Sequence, residues 1–198
     1  MKVSREKESV VIDLKPACRR MSEVVEGVGD GQLDGPTPCA EYDVSALIGH
    51  VAQVARGFAA VARKEEAGDG PLSAPPEEGW REALAKELGA LGEAWDDPAA
   101  WEGESGGAGV ELPNALWGRI TLTELVVHGW DLARATGQPF GLPEETVHAC
   151  YAHVAEFVPN APLPELWGTP VEVPENAPLL DRLLGITGRD VQRPNAAA

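Results

Sequence analysis

Apolar residues recur every three to four positions in five separate stretches of this 198-residue chain. That spacing places them on one face of a helix, whereas a half-buried strand would alternate apolar and polar residues. Glycine- and proline-rich stretches separate the five patterns, as expected of connecting loops. No stretch shows convincing strand alternation, so the sequence predicts an all-α bundle. The predicted helices cover about residues 15–28, 44–66, 77–95, 119–136 and 144–158.

Several residues mark the ends of these helices. Pro16 is tolerated in the opening turn of the first helix, and Asp43 can cap the N-terminus of the second. Gly137 is a natural stop for the fourth helix. The segment 96–113 contains several glycines and no periodic pattern, so we expect a long irregular loop there.

The length of the chain suits one domain with a substantial core. We therefore expect a single domain over residues 1–198. Residues 1–13 are predicted to form a loose lead-in. Residues 159–198 are predicted to form a proline-rich tail that packs on the bundle, with one short amphipathic turn at 178–185.

Charge and composition exclude several classes of protein. The formal net charge of −16 argues against a nucleic-acid partner, because binding phosphates requires a basic surface. It also disfavours docking on anionic membranes. No run of about 18 consecutive apolar residues suggests a transmembrane helix, and the charged N-terminus does not resemble a signal peptide.

The cysteines point to the cytoplasm. The chain has three, Cys18, Cys39 and Cys150, with no CxxC pair among them. This pattern predicts neither a disulfide framework nor a thiolate zinc site. Cys18 and Cys150 lie on apolar stripes and are predicted to be buried thiols. Cys39 belongs to a loop and is predicted to be structural, with a role as a fourth metal ligand as the alternative.

Histidine is scarce, with four copies, and two of them form a candidate metal site with one glutamate. Glu124 and His128 lie four apart on the fourth predicted helix, which puts them on one face. His50 occupies the equivalent flank of the second helix. Two imidazoles and one carboxylate form the ligand set of a catalytic zinc, with a further position open to water or substrate.

The four-residue spacing alone is weak evidence for a metal site. Glu144 and His148 repeat the four-residue spacing, but they fall in the first turn after Pro143, where a solvated acid is the ordinary explanation. The alternative for the candidate site is a pair of buried, hydrogen-bonded histidines with a surface glutamate. The spacing by itself favours that alternative.

Three stretches of the chain resemble a known family. Residues 36–50 (PTPCAEYDVSALIGH) and 124–138 (ELVVHGWDLARATGQ) are similar to the two signatures of the mycothiol-dependent maleylpyruvate isomerase-like family, in the DinB-like superfamily. Residues 170–190 (PVEVPENAPLLDRLLGITGRD) resemble the segment that closes its domain. Tyr42 stands where tryptophan is common in the family.

This resemblance implies a fold, a metal and a co-substrate. The fold is a DinB-like four-helix bundle, here with an extra helix and the irregular proline-rich tail. A divalent metal, zinc or alternatively nickel, would be held by His50, Glu124 and His128. Mycothiol, the low-molecular-weight thiol of actinobacteria, would be the co-substrate. The isomerase that gives the family its name has an additional C-terminal domain that contributes to catalysis, whereas this chain ends soon after the bundle.

The expected chemistry is thiol activation. A metal-bound thiol loses its proton at neutral pH, and the thiolate could attack a small electrophilic substrate in thiol transfer or isomerisation. Asp131, one turn beyond His128, could orient a ligand or a bound water, or it could be a surface aspartate. Arg134, on the far side of that helix, is predicted to form a salt bridge or to anchor the tail.

Two other functions use the same residues. One is a thiol-independent metalloenzyme that tailors a secondary metabolite. The other is a non-catalytic protein that binds a small molecule or a metal. The sequence leaves the oligomeric state open between monomer and homodimer.

Overall fold

A computed structural model describes residues 11–65, 78–107, 110–161 and 167–192 of the chain. Within them the chain forms six α-helices and one two-stranded antiparallel sheet. The helices are α1 (Lys15–Glu26), α2 (Val44–Arg63), α3 (Trp80–Ala94), α4 (Asn114–Ala135), α5 (Glu144–Phe157) and α6 (Leu179–Ile186). The strands are β1 (Glu104–Gly107) and β2 (Val110–Pro113). Short 3-10 turns cover Asp30–Gln32, Pro98–Trp101 and Val158–Asn160.

The first four helices form the bundle. Helices α1 and α2 each pack against both α3 and α4, and the apolar stripes of all four face one continuous core. Helix α5 packs against α4, and α6 packs against α5. The largest fully buried side chains include Trp95 and Trp101, whose rings meet edge to face at 5.1 Å between centroids. The all-α bundle with an additional helix is therefore confirmed.

Helix α2 shows how a local signal sets an element boundary. The Asp43 carboxylate accepts a hydrogen bond from the Ala46 amide at 2.7 Å, which is the predicted N-cap. By length and apolar composition α2 could cross a membrane, with a mean hydropathy of 1.3. In this structure 56% of that apolar window is buried inside the protein, so its composition is that of a core helix.

The prediction that residues 96–113 form an irregular loop is wrong. This segment contains the 3-10 turn and the β1–β2 hairpin, paired from Glu104 opposite Pro113 to Gly107 opposite Val110. The hairpin is held against the bundle by Trp117, whose indole nitrogen donates to the Ser105 carbonyl at 2.9 Å.

Helix boundaries also differ from the prediction. Helix α4 begins at Asn114, five residues earlier than expected. Its first residues are stabilised by the buried Asn114 side chain, whose amide donates to the Ala100 carbonyl at 3.0 Å. Helix α6 is a full helix over Leu179–Ile186 where a short turn was expected. One of the glycine- and proline-rich stretches expected to form connecting loops, residues 68–76, lies outside the described residues, as does the predicted start of the third helix at residue 77.

Candidate metal centre

Two core helices bring the three predicted ligands together. His50 lies in the second turn of α2, and Glu124 and His128 lie one turn apart on α4, which packs beside it. The Glu124 Oε2 atom is 3.2 Å from His50 Nε2 and 3.3 Å from His128 Nε2. The three ligand atoms all lie within 4.8 Å of one another. Their role as metal ligands remains a prediction, but their convergence is a feature of the fold.

The spacing of these atoms fits a metal ion. Zinc lies about 2.0–2.2 Å from nitrogen and oxygen ligands, so neighbouring ligands of a tetrahedral ion are roughly 3.3–3.6 Å apart. Of the two Glu124–histidine distances, 3.3 Å lies at the short end of that range and 3.2 Å lies just below it. Imidazole nitrogen and carboxylate oxygen are donors that zinc and nickel both accept.

Burial makes the electrostatics of this cluster strong. Burial alone would raise the pKa of Glu124, but hydrogen bonds from His128 and His50 lower it well below its usual range. Burial alone would lower the pKa of His128, whereas hydrogen bonds to Asp131 and Glu124 raise it to about 9. Both shifts favour an ion pair between Glu124 and a protonated His128 when no metal is bound. A metal ion would replace that proton and offset the same negative charge.

Asp131 orients His128 from its other side. Its Oδ2 atom is 3.1 Å from His128 Nδ1, so the imidazole presents Nε2 toward Glu124 and His50. Asp131 is 0% exposed, which rules out the surface-aspartate alternative. Histidines that bind metals usually donate their second ring nitrogen to a carboxylate in this way.

Sequence reasoning missed Arg189 altogether. Its Nε and Nη2 atoms donate to Asp131 Oδ1 and Oδ2 at 3.2 and 2.8 Å, and its Nη1 donates to the Thr187 carbonyl at 2.7 Å. Arg189 is 7% exposed, so this is a buried, bidentate ion pair. The only signal in the sequence is its position in the closing segment that resembles the family.

The loop before α2 covers the His50 side of the cluster. The Tyr42 ring stacks on the His50 ring at 5.1 Å between centroids, with 19° between the planes. The Thr37 hydroxyl lies 2.9 Å from the Cys39 carbonyl and 2.7 Å from the Tyr42 carbonyl, which fixes the loop. Burial raises the pKa of Tyr42, and the neighbouring Glu41 adds to this effect, so its hydroxyl is protonated at neutral pH.

The remaining residues singled out in the sequence are three cysteines and Arg134. Cys18 and Cys150 are buried, as expected, and burial raises the pKa of each thiol to about 12. Cys39 is half-buried in the loop, and its Sγ lies within 4.8 Å of ligand atoms of His128 and Asp131. Arg134 donates to the Val191 carbonyl at 3.4 Å, which confirms the tail-anchoring alternative.

The second histidine–glutamate pair differs in its surroundings. His148 Nε2 is 3.4 Å from Glu144 Oε1 on α5, at the predicted spacing. Both side chains are largely exposed, at 62% and 88%, so the pair is solvated as expected. It is a matched control for the Glu124–His128 pair.

Solved structures with this architecture are known. The crystal structure of the mycothiol-dependent maleylpyruvate isomerase superimposes with a TM-score of 0.51 at 20% sequence identity, over 70% of this chain and 65% of that one. A histidine-to-alanine mutant of the same enzyme gives a TM-score of 0.51 at 19% identity. This chain thus spans about two thirds of the length of the isomerase. The likeness shows a DinB-like helical bundle fold.

Sequence comparison defines the family. The family model of the mycothiol maleylpyruvate isomerase N-terminal domain matches residues 14–133, more than half of the chain, so the protein belongs to this family. An uncharacterized protein of Mycobacterium tuberculosis, matched in two strains, is 30% identical over 171 residues. The match covers 81% of this chain and 87% of that relative.

Proposed function

We propose that this protein is a metal-dependent, mycothiol-using member of its family that acts on a small electrophilic substrate. The reaction would be transfer of the thiol to the substrate, or isomerisation if the thiol leaves again. The protein with the similar solved structure is a mycothiol-dependent maleylpyruvate isomerase, which supports mycothiol as the thiol. The observation that carries the proposal is the position of Glu124 Oε2 between the Nε2 atoms of His50 and His128.

Each residue of the cluster has a task in this proposal. His50, Glu124 and His128 would hold the metal, zinc or nickel. A bound metal would supply the thiolate form of the co-substrate at neutral pH. Asp131 would accept a hydrogen bond from His128 Nδ1, which leaves Nε2 as the nitrogen that binds the metal. The protonated Tyr42 hydroxyl, on a ring that stacks against His50, is a hydrogen-bond donor beside the cluster.

The test is turnover of an electrophile that becomes fluorescent on thiol alkylation, together with isomerisation of maleylpyruvate, each measured with and without mycothiol. The proposal expects product in one of these assays only when both mycothiol and zinc or nickel are present. Glu124→Gln should abolish turnover, whereas Glu144→Gln, in the exposed pair with the same spacing, should retain it.

The other outcomes identify the competing functions. Metal-dependent turnover that does not require a thiol would favour a thiol-independent metalloenzyme. A tightly bound metal without turnover would favour a binding protein.

The proposal also includes a cytoplasmic location, where a reduced thiol co-substrate is available.

A further inference from the structure

A continuous chain of polar contacts connects the C-terminal segment to the metal centre. It runs from the Arg189 guanidinium to the Asp131 carboxylate, and from Asp131 to His128 Nδ1. His128 Nε2 then lies 3.3 Å from Glu124 Oε2. Arg189 lies far beyond residues 14–133, the part of the chain that matches the family model.

Asp131 depends on Arg189 for its charge balance. Its carboxylate is 0% exposed, and a buried carboxylate without a cationic partner is strongly destabilising. The guanidinium binds both carboxylate oxygens through two different nitrogens, which fixes the plane of the carboxylate. Because Oδ2 also contacts His128, fixing that plane fixes the imidazole.

The end of α6 in turn fixes Arg189. The Gly188 and Arg189 amides donate to the Gly185 and Leu184 carbonyls at 3.0 and 2.9 Å, the pattern of a Schellman motif. Gly188 has a φ of 81°, a conformation that favours glycine, and a Cβ there would lie 2.6 Å from the Gly168 backbone. The turn therefore brings Arg189 to α4 only when α6 is folded and docked.

We propose that Arg189 is a positioning residue for the metal centre, so that docking of α6 and the segment after it is coupled to metal binding. This inference rests on the proposed function, because it assumes that His128 is a metal ligand. Coupling between two sites is reciprocal: the docked segment raises metal affinity, and the bound metal stabilises the docked segment.

The first test is titration of the metal-free protein with zinc and, separately, with cobalt(II), whose visible absorption reports ligand geometry. Arg189→Gln should lower zinc affinity roughly ten- to a hundred-fold and alter the cobalt spectrum at saturation. Arg189→Lys keeps the positive charge but cannot bind both carboxylate oxygens through two nitrogens, so it should recover part of the zinc affinity.

Arg81→Gln is the matched control. Arg81 lies on α3 and donates to Asp30 Oδ1 at 2.7 Å, an ion pair that involves neither α6 nor the metal ligands. Its loss should leave the affinity within about twofold and the cobalt spectrum unchanged. Wild-type affinity and spectrum in a folded Arg189→Gln protein would overturn the proposal while leaving the proposed function intact.

A second measurement uses the wild-type chain and does not depend on the folding of a variant. Hydrogen exchange of the amides at the end of α6, including the Arg189 amide bonded to Leu184, should slow when zinc is added. Zinc binding without any such slowing would also overturn the coupling. Failure of the wild-type chain to bind either zinc or nickel would overturn both the coupling and the proposed function.

Discussion

His128 has both of its ring nitrogens engaged, Nε2 beside Glu124 and Nδ1 beside Asp131. His148 has a glutamate at the same spacing, but that pair is largely exposed and contributes little in water. The two histidines differ in burial and in the contact that Asp131 makes with Nδ1 of His128. At the residue scale, then, the candidate site is defined by its supporting contacts as much as by its ligands.

His153, on α5, gives a prediction about acid stability. It is 6% exposed, and burial together with the neighbouring Arg119 lowers its pKa from 6.5 to about 4. The unfolded chain takes up this proton near pH 6.5, but the folded chain does so only near pH 4. Because the unfolded chain binds this proton more tightly, lowering the pH from 6.5 to 4 reduces the free energy of unfolding.

The measurement is urea unfolding between pH 7 and pH 4.5. As the pH is lowered, the free energy of unfolding should decrease less steeply in His153→Gln than in the wild type. His148→Gln, at an exposed position, should keep the wild-type slope. Identical slopes for His153→Gln and the wild type would contradict the lowered pKa.

At this scale the sequence carries part of the site. His50, Glu124 and His128 can be selected because histidine is scarce and two of the three share a helix face. Arg189 cannot, because it lies 58 positions from Asp131 and no periodic pattern joins them. The burial of Asp131 likewise depends on tertiary packing.

At the scale of elements, periodicity predicts the helices well and the hairpin poorly. The stripes of α1 to α5 extend over several turns, and the Asp43 cap is a local signal. The strands β1 and β2 are four residues long, and β1 ends in two glycines that have no side chains to alternate. The early start of α4 is masked by Gly118, because glycine has low helix propensity.

Gly118 is explained by packing. A Cβ at this position would lie 2.6 Å from the Trp101 ring and 3.0 Å from the Trp95 ring, both buried. We expect Gly118→Ala to destabilise the protein by roughly 1–3 kcal/mol, because overpacking the core outweighs the gain in helix propensity.

Gly89→Ala on α3 is the matched control, since nothing lies within 4 Å of a Cβ there. It should stabilise the protein by up to about 1 kcal/mol. Urea unfolding of the two variants measures both changes. Equal effects of the same sign would refute the packing explanation for Gly118.

At the scale of the whole molecule, α5 and α6 extend the bundle and return the chain to its centre. Helix α5 packs on α4, α6 packs on α5, and Arg189 then contacts Asp131 on α4. The sequence predicts one domain over residues 1–198, and this prediction requires the bundle, α5 and α6 to unfold as one unit.

We expect one cooperative transition. Tryptophan fluorescence reports mainly on residues 80–130, which hold five of the six tryptophans, and it should give the same urea curve as far-UV circular dichroism. Zinc at a hundred times its dissociation constant should raise the free energy of unfolding by about 2.7 kcal/mol in both signals. Two separated transitions would show that the C-terminal part unfolds independently of the bundle.

The most direct test of the central claim is the metal content of the purified protein, measured by mass spectrometry beside the variants His128→Ala and His148→Ala. We predict about one zinc or nickel ion per chain in the wild type and in His148→Ala, and its loss in His128→Ala. No bound metal in the wild type, even after incubation with excess zinc or nickel, would contradict the claim that His50, Glu124 and His128 form a metal centre.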